Sequence, residues 1–155
     1  MRLHTLLVFP LFALFFAVGC TPSYSFQVAV RNETKGPITM GLVKEGGKED
    51  PQWRTPESVA MRTEASNERA WNSTVVPPGK TGYAGPIKGK FEKDSRAVLR
   101  VYAGDLELSD MLAISKHSPN RLDISLEEGR NAIIVKENNG QLVADMLEMP
   151  KEKKK

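Results

Sequence analysis

Apolar and polar residues alternate with a period of two from residue 24 to 31, which places Tyr24, Phe26, Val28 and Val30 on one face. That is the pattern of a half-buried strand. Residues 32–36 have turn chemistry, and Ile38, Met40 and Leu42 repeat the alternation, so the first two strands are expected to form a hairpin. Residues 44–54 are polar and read as a loop. Thr55-Pro56-Glu57 supplies a capping hydroxyl, a proline at the first helical position and an acid in the first turn, which predicts a short helix over about 56–62, with a strand in which Val59 and Met61 alternate as the other reading. Residues 63–73 have no clear period.

Further along, Pro78-Gly79 suits the two central positions of a type II turn. Residues 83–91 form a Gly-rich strand in which Pro86 points to an edge or a bulge. Ala97, Leu99 and Val101 give the inner face of the next strand, and a turn at 93–95 is expected to pair it with residues 83–91. Such a hairpin sets Phe91 against Ala97, Ile87 against Val101 and, on its outer face, Lys88 against Arg100. Gly104-Asp105 is a tight turn after which Leu106 and Leu108 begin a return, and residues 110–118 fit a helical turn or a strand equally. Leu122, Ile124 and Leu126 alternate again. Asn139-Gly140 is the strongest hairpin signal in the chain; a two-residue loop there pairs Val135 with Ala144, Ile133 with Met146 and Lys136 with Val143. Seven to nine short strands, one short helix and many turns predict a mainly β fold. The expected form is an antiparallel β-sandwich of immunoglobulin-like or related layout, with an open β-barrel as the alternative.

The chain opens differently. Arg2 precedes an apolar run over residues 3–19, which leads through small residues to Cys20. This is the layout of a secretory signal. Ala17-Val18-Gly19-Cys20 resembles the lipobox of bacterial lipoproteins. The resemblance covers residues 1–20 and implies cleavage before Cys20, acylation of that cysteine, and anchoring by acyl chains whose methylenes contribute about 0.8 kcal/mol each. With Thr21 in place of an aspartate, it further implies a location on the outer membrane facing the periplasm. The competing reading is an uncleaved span, for which 17 residues are short of the roughly 20 required. The resulting organisation is a signal at 1–19, a lipidated tether at 20–23, one domain at 24–149 and a Lys-rich, disordered tail at 150–155.

Composition then narrows the chemistry. The formal charge is +3, from 22 basic and 19 acidic residues. Arg2 leaves with the signal, and residues 151–155 alone carry +3, so residues 20–150 stand near −1. The basic character belongs to a tail and gives no support for nucleic-acid binding. Cys20 is the single cysteine, so the exported domain is held without disulfides. Of the two histidines, His4 lies in the signal and His117 in a polar stretch. Blue-copper and zinc sites lack their ligands, and no cofactor or metal is expected. Carboxylate pairs such as Glu107 with Asp110 and Glu127 with Glu128 fall at turns, which leaves a small carboxylate hydrolase as a weak alternative.

Two constellations remain. Lys88, Lys90, Lys93, Arg96 and Arg100 are expected on one face suited to an anionic surface. Trp53, Trp71 and Tyr83 are expected beside the loop-rich half, where exposed aromatic rings would suit a glycan or peptidoglycan partner. The leading expectation is a lipid-anchored, non-enzymatic binding or assembly module of the bacterial cell envelope. Its partners are the membrane through the anchor, and an envelope protein or a glycan.

Overall fold

In the computed structural model, residues 23–61 and 71–147 are described. Eight strands and two short helices follow in chain order. They are β1 (Ser23–Asn32), β2 (Ile38–Glu45), α1 (Pro56–Ala60), β3 (Ser73–Val76), β4 (Thr81–Lys90), β5 (Arg96–Ala103), α2 (Leu108–Ala113), β6 (Arg121–Ser125), β7 (Gly129–Asn138) and β8 (Gln141–Leu147). They build two four-stranded sheets, sheet A in the order β4-β1-β7-β8 and sheet B in the order β3-β2-β5-β6. The protein is a β-sandwich. All pairings are antiparallel except β1 with β7, which run parallel. The signal, Cys20, most of the tether and the Lys-rich tail lie outside the described residues, as do residues 62–70.

The period-two patterns place their apolar faces between the sheets. Phe26, Val28 and Val30 of β1 meet Ile38, Met40 and Leu42 of β2, Ala97, Leu99 and Val101 of β5, and Ile133 and Val135 of β7. Burying each large aliphatic side chain contributes about 1.5–3 kcal/mol, so this layer dominates the stability. The β7–β8 hairpin turns through Asn139 and Gly140, both at positive φ (52° and 77°), and pairs Ile133 with Met146, Val135 with Ala144 and Lys136 with Val143, the register that the Asn-Gly loop predicts. The helix start at Thr55 holds too: its hydroxyl accepts from the Ser58 amide (3.1 Å), while the Ser58 hydroxyl accepts from the Thr55 amide (3.1 Å).

Two expected hairpins are arches instead. β1 and β2 belong to different sheets. The corner is set by Asn32, fully buried, whose side-chain amide donates to the Gly36 carbonyl (2.9 Å) and the Val76 carbonyl (2.8 Å). Its Oδ1 accepts from the Thr34 amide (2.9 Å) and hydroxyl (2.7 Å). These bonds tie the end of β1 to the end of β3 and send the chain across the sandwich. Likewise β4 pairs with β1, and β5 with β2 and β6, so the segment at 91–95 also crosses between sheets. Phe91 turns inward there and stacks edge-on against Phe26 and Trp53, each with ring centroids 5.1 Å away.

β4 is an edge strand, and its pairing with β1 shifts register between Phe26 and Val28, beside Pro86. Both devices discourage edge-to-edge pairing with another chain. Residues 106–113 do not return as a strand. Leu108, Met111 and Ile114 fold over the outer face of sheet B instead, where with Val59 of α1 and Trp71 they cover Val43, Val98 and Tyr102. This second apolar layer explains why β2 and β5 are buried on both faces over most of their length.

Candidate functional site

Cys20 lies outside the described residues, which begin at Ser23, the first residue of β1. Ser23 pairs with Lys90, and Ser25 with Lys88. Phe26 faces the core, so by alternation Ser23, Ser25, Lys88 and Lys90 share the outer face of sheet A. Both lysines are exposed at the β4 edge. β4 runs antiparallel to β1, so the turn carrying Lys93 and Asp94 sits at the same end of the sandwich as Ser23.

The rest of the expected cationic face is dispersed. Lys88 faces Ser25 and not Arg100, because β4 and β5 are in different sheets. Arg96 is engaged on sheet B, donating to Glu45 (2.6 Å) and to the Ser125 hydroxyl (3.1 Å). The Arg100 side chain is only 4% exposed and lies at the centre of an ion-pair network. It reaches Glu57 of α1 (2.8 Å), Asp123 of β6 (3.2 Å) and Glu45 of β2 (3.6 Å). Arg121 lies beside it, 2.8 Å from Asp123 and 3.5 Å from Glu57, with its guanidinium 5.8 Å from the Tyr102 ring centroid. A guanidinium surrounded by three carboxylates has no charge to offer an outside anion.

The electrostatics of this network follow from its geometry. Burial pushes the Glu57 carboxyl up, but a backbone hydrogen bond and the nearby Arg100 outweigh it and hold the group below the ordinary 4.5. Asp123 behaves in the same way: burial is outweighed by Arg121 and Arg100, and the group sits below 3.8. Burial raises the Tyr102 phenol above 10.0. At the other end of sheet B, Lys44 extends the inner row of β2. Its ammonium donates to Glu92 (2.7 Å) and to the Lys48 carbonyl (2.8 Å), and the hydrogen bond from Lys44 holds Glu92 at about 2.

The aromatic candidates are also separated. Trp53 is 2% exposed and Trp71 5%, whereas Tyr83 is 64% exposed. Each indole lies on a strand glycine. A Cβ at Gly89 would come within 2.5 Å of the Trp53 ring nitrogen, and one at Gly41 within 2.5 Å of Trp71 Cζ2. Their N–H groups donate inward, Trp53 to the Lys88 carbonyl (2.9 Å) and Trp71 to the Arg54 carbonyl (3.0 Å). Trp53 belongs to the main core and Trp71 to the layer outside sheet B. The expected aromatic platform is therefore corrected: two rings are structural, and Tyr83 stands exposed on the outer face of sheet A, opposite Ala29.

His117 is exposed in a turn, and Asp110 caps α2 by accepting from the Glu107 amide (3.2 Å). Among the described residues no group of three or more His, Cys, Asp and Glu side chains could hold a metal ion, and no helix is long and apolar enough to cross a membrane. A groove of about 200 Å³ beside Lys44 is lined by residues 46–50, Trp53, Thr55 and Ser58. Missed from the sequence were Glu57, Asp123, Arg121 and the Lys44–Glu92 pair. The one available signal was Arg100 itself, a charge inside an otherwise apolar strand.

No family model and no curated protein matches the chain. A crystal structure of the T6SS lipoprotein TssJ1 from Pseudomonas aeruginosa is similar to it over 83% of this chain and 100% of that one, at 11% sequence identity and a TM-score of 0.37.

Proposed function

We propose that this chain is a lipid-anchored protein of the bacterial cell envelope that acts as a non-enzymatic binding or assembly module. One observation carries the reading: the apolar run of residues 3–19 ends in small residues at Cys20, only three positions before the first strand of the domain. A secretory signal followed so closely by a folded domain leaves Cys20 as the natural point of attachment, and two or three acyl chains suffice for stable anchoring. The outer membrane, facing the periplasm, is the location that the lipobox resemblance implies. The non-enzymatic part is supported by the use made of the polar residues. Arg100, Arg121, Glu57 and Asp123 are engaged with one another in holding α1 to sheet B.

The test is incorporation of labelled palmitate into the chain in a bacterial host, together with membrane fractionation. Wild type should take up label and sediment with membranes, and Cys20→Ser should take up none and be released. Retention of unlabelled Cys20→Ser in membranes would falsify the lipid anchor in favour of an uncleaved apolar helix.

A further inference from the structure

Strand order places charge asymmetrically around the point where the chain enters the domain. β1 has β4 on one side and β7 on the other. On the β4 side, Lys90 and Lys88 stand opposite Ser23 and Ser25; both are exposed, and neither has an ion-pair partner among the described residues. On the β7 side, Gly129 stands opposite Phe26, and the exposed Glu127 and Glu128 immediately precede it, with Arg130 following it. At the end of the sandwich itself the signs are mixed, Lys93 being followed by Asp94 and Lys44 being held by Glu92. The uncompensated positive charge at this end is therefore on the β4 edge.

Chain length decides what that edge meets. Three residues span at most about 10 Å, and paired antiparallel strands lie about 5 Å apart. An acylated Cys20 thus keeps the Lys90 backbone within about 15 Å of the anchored Cα, and a lysine side chain covers much of what remains. We propose that the domain leans on its β4 edge, with Lys88 and Lys90 against anionic lipid headgroups and the side bearing Glu127 and Glu128 lifted away. This rests on the lipid anchor at Cys20 and adds to it a fixed orientation. The partner is the anionic leaflet of the membrane that holds the anchor. A lysine near such a surface favours association about fivefold, so two bias the leaning orientation roughly 25-fold over a neutral surface.

The experiment uses the full lipidated chain carrying Ser25→Cys, labelled there with an environment-sensitive fluorophore. It is reconstituted on vesicles of phosphatidylcholine alone or of phosphatidylcholine with phosphatidylglycerol, each containing headgroup spin-labelled lipid as quencher. The expected result is flotation with both vesicles, stronger quenching on the anionic ones, and loss of that difference in Lys88→Gln with Lys90→Gln or at high salt. Flotation with both but equal quenching overturns the leaning orientation and leaves the anchor standing. Failure to float with neutral vesicles overturns the anchor and the orientation with it. If replacing Lys151, Lys153, Lys154 and Lys155 by glutamine removes the difference while the β4 variant does not, the tail is the contact and the proposal is wrong.

Discussion

Arg100 of β5 stands directly opposite Asp123 of β6, with its Nε 3.2 Å from the carboxylate Oδ1. Cross-strand neighbours of opposite charge ordinarily contribute a few tenths of a kcal/mol to about 1 kcal/mol. Here the Arg100 side chain is 4% exposed and Asp123 12%, so removing one partner leaves a charge that water reaches poorly. Asp123→Ala is expected to cost about 3 kcal/mol, because Arg100 and Arg121 both lose a carboxylate that they share. Urea unfolding, with slope as well as midpoint compared, checks it. A loss under about 1 kcal/mol would show that the network is solvated.

The same network makes stability depend on acid. Glu57 and Asp123 have folded pKa values below their ordinary 4.5 and 3.8, and Glu92 is held at about 2. Lowered folded values mean that the stabilisation is fully present above the unfolded pKa values and is lost as the pH falls through the folded ones. Stability should therefore be flat near neutrality, begin to fall below about pH 4.5 and keep falling toward pH 2. Glu57→Gln with Asp123→Asn should be less stable at pH 7 and show a shallower acid limb. Denaturant midpoints across that range give the comparison, and parallel limbs for variant and wild type would refute the assignment.

Gly41 and Gly89 lie under Trp71 and Trp53. In an ordinary strand, exchanging glycine for alanine is neutral or helpful, since glycine weakens strand interiors. At these two positions the added methyl meets an indole ring and must displace it, and overpacking of this kind typically costs 1–3 kcal/mol. Gly41→Ala and Gly89→Ala should each lower the thermal midpoint. An unchanged or raised midpoint would mean that the rings are not seated as described.

Burial of both indoles also has a spectroscopic consequence. Tryptophan emission from the folded protein should resist quenching by iodide and become accessible on unfolding. Titration with peptidoglycan fragments should leave the emission unmoved. A saturable shift on titration would restore an aromatic role in glycan binding.

Asn32 links three stretches of chain through one amide. Asn32→Ala removes bonds to Gly36, Thr34 and Val76 and leaves buried polar groups without partners. A loss of about 2–4 kcal/mol is expected from that penalty. Asn32→Asp should not rescue it, because a carboxylate cannot donate to the Gly36 and Val76 carbonyls. Calorimetry on the two variants tests both statements.

Local chemistry was legible along the chain wherever a few neighbouring residues suffice. Asn139-Gly140 demands two residues at positive φ and so sets the β7–β8 register, and Thr55-Pro56 starts α1 at its proline. Pro86 marks an edge because it has no amide to donate. What alternation does not encode is which sheet a strand joins. β1 with β2 and β4 with β5 each read as hairpins, and each pair is split between sheets at a corner residue that turns inward, the buried Asn32 in one case and the partly buried Phe91 in the other. The two tryptophans misled for a related reason: their loops look polar, and the glycines that receive the rings lie 30 or more positions away along the chain.

By itself, then, the sequence determined a mainly β sandwich, the apolar faces of its strands, its tight turns, and the expectation of an anchor at Cys20. These depend on side-chain period and on short-range backbone preference, both of which are local. Only the tertiary structure decided the fate of the charges. Arg100 sits in an apolar strand, and the carboxylates that neutralise it come from β2, α1 and β6, up to 55 positions away. Lys88 and Lys90 read much like the other cations of the expected face, and they differ because β4 lies at an edge beside the start of β1. Whether a charge is neutralised or left for a partner depends on which strands become neighbours, and that is a property of the assembled sheets.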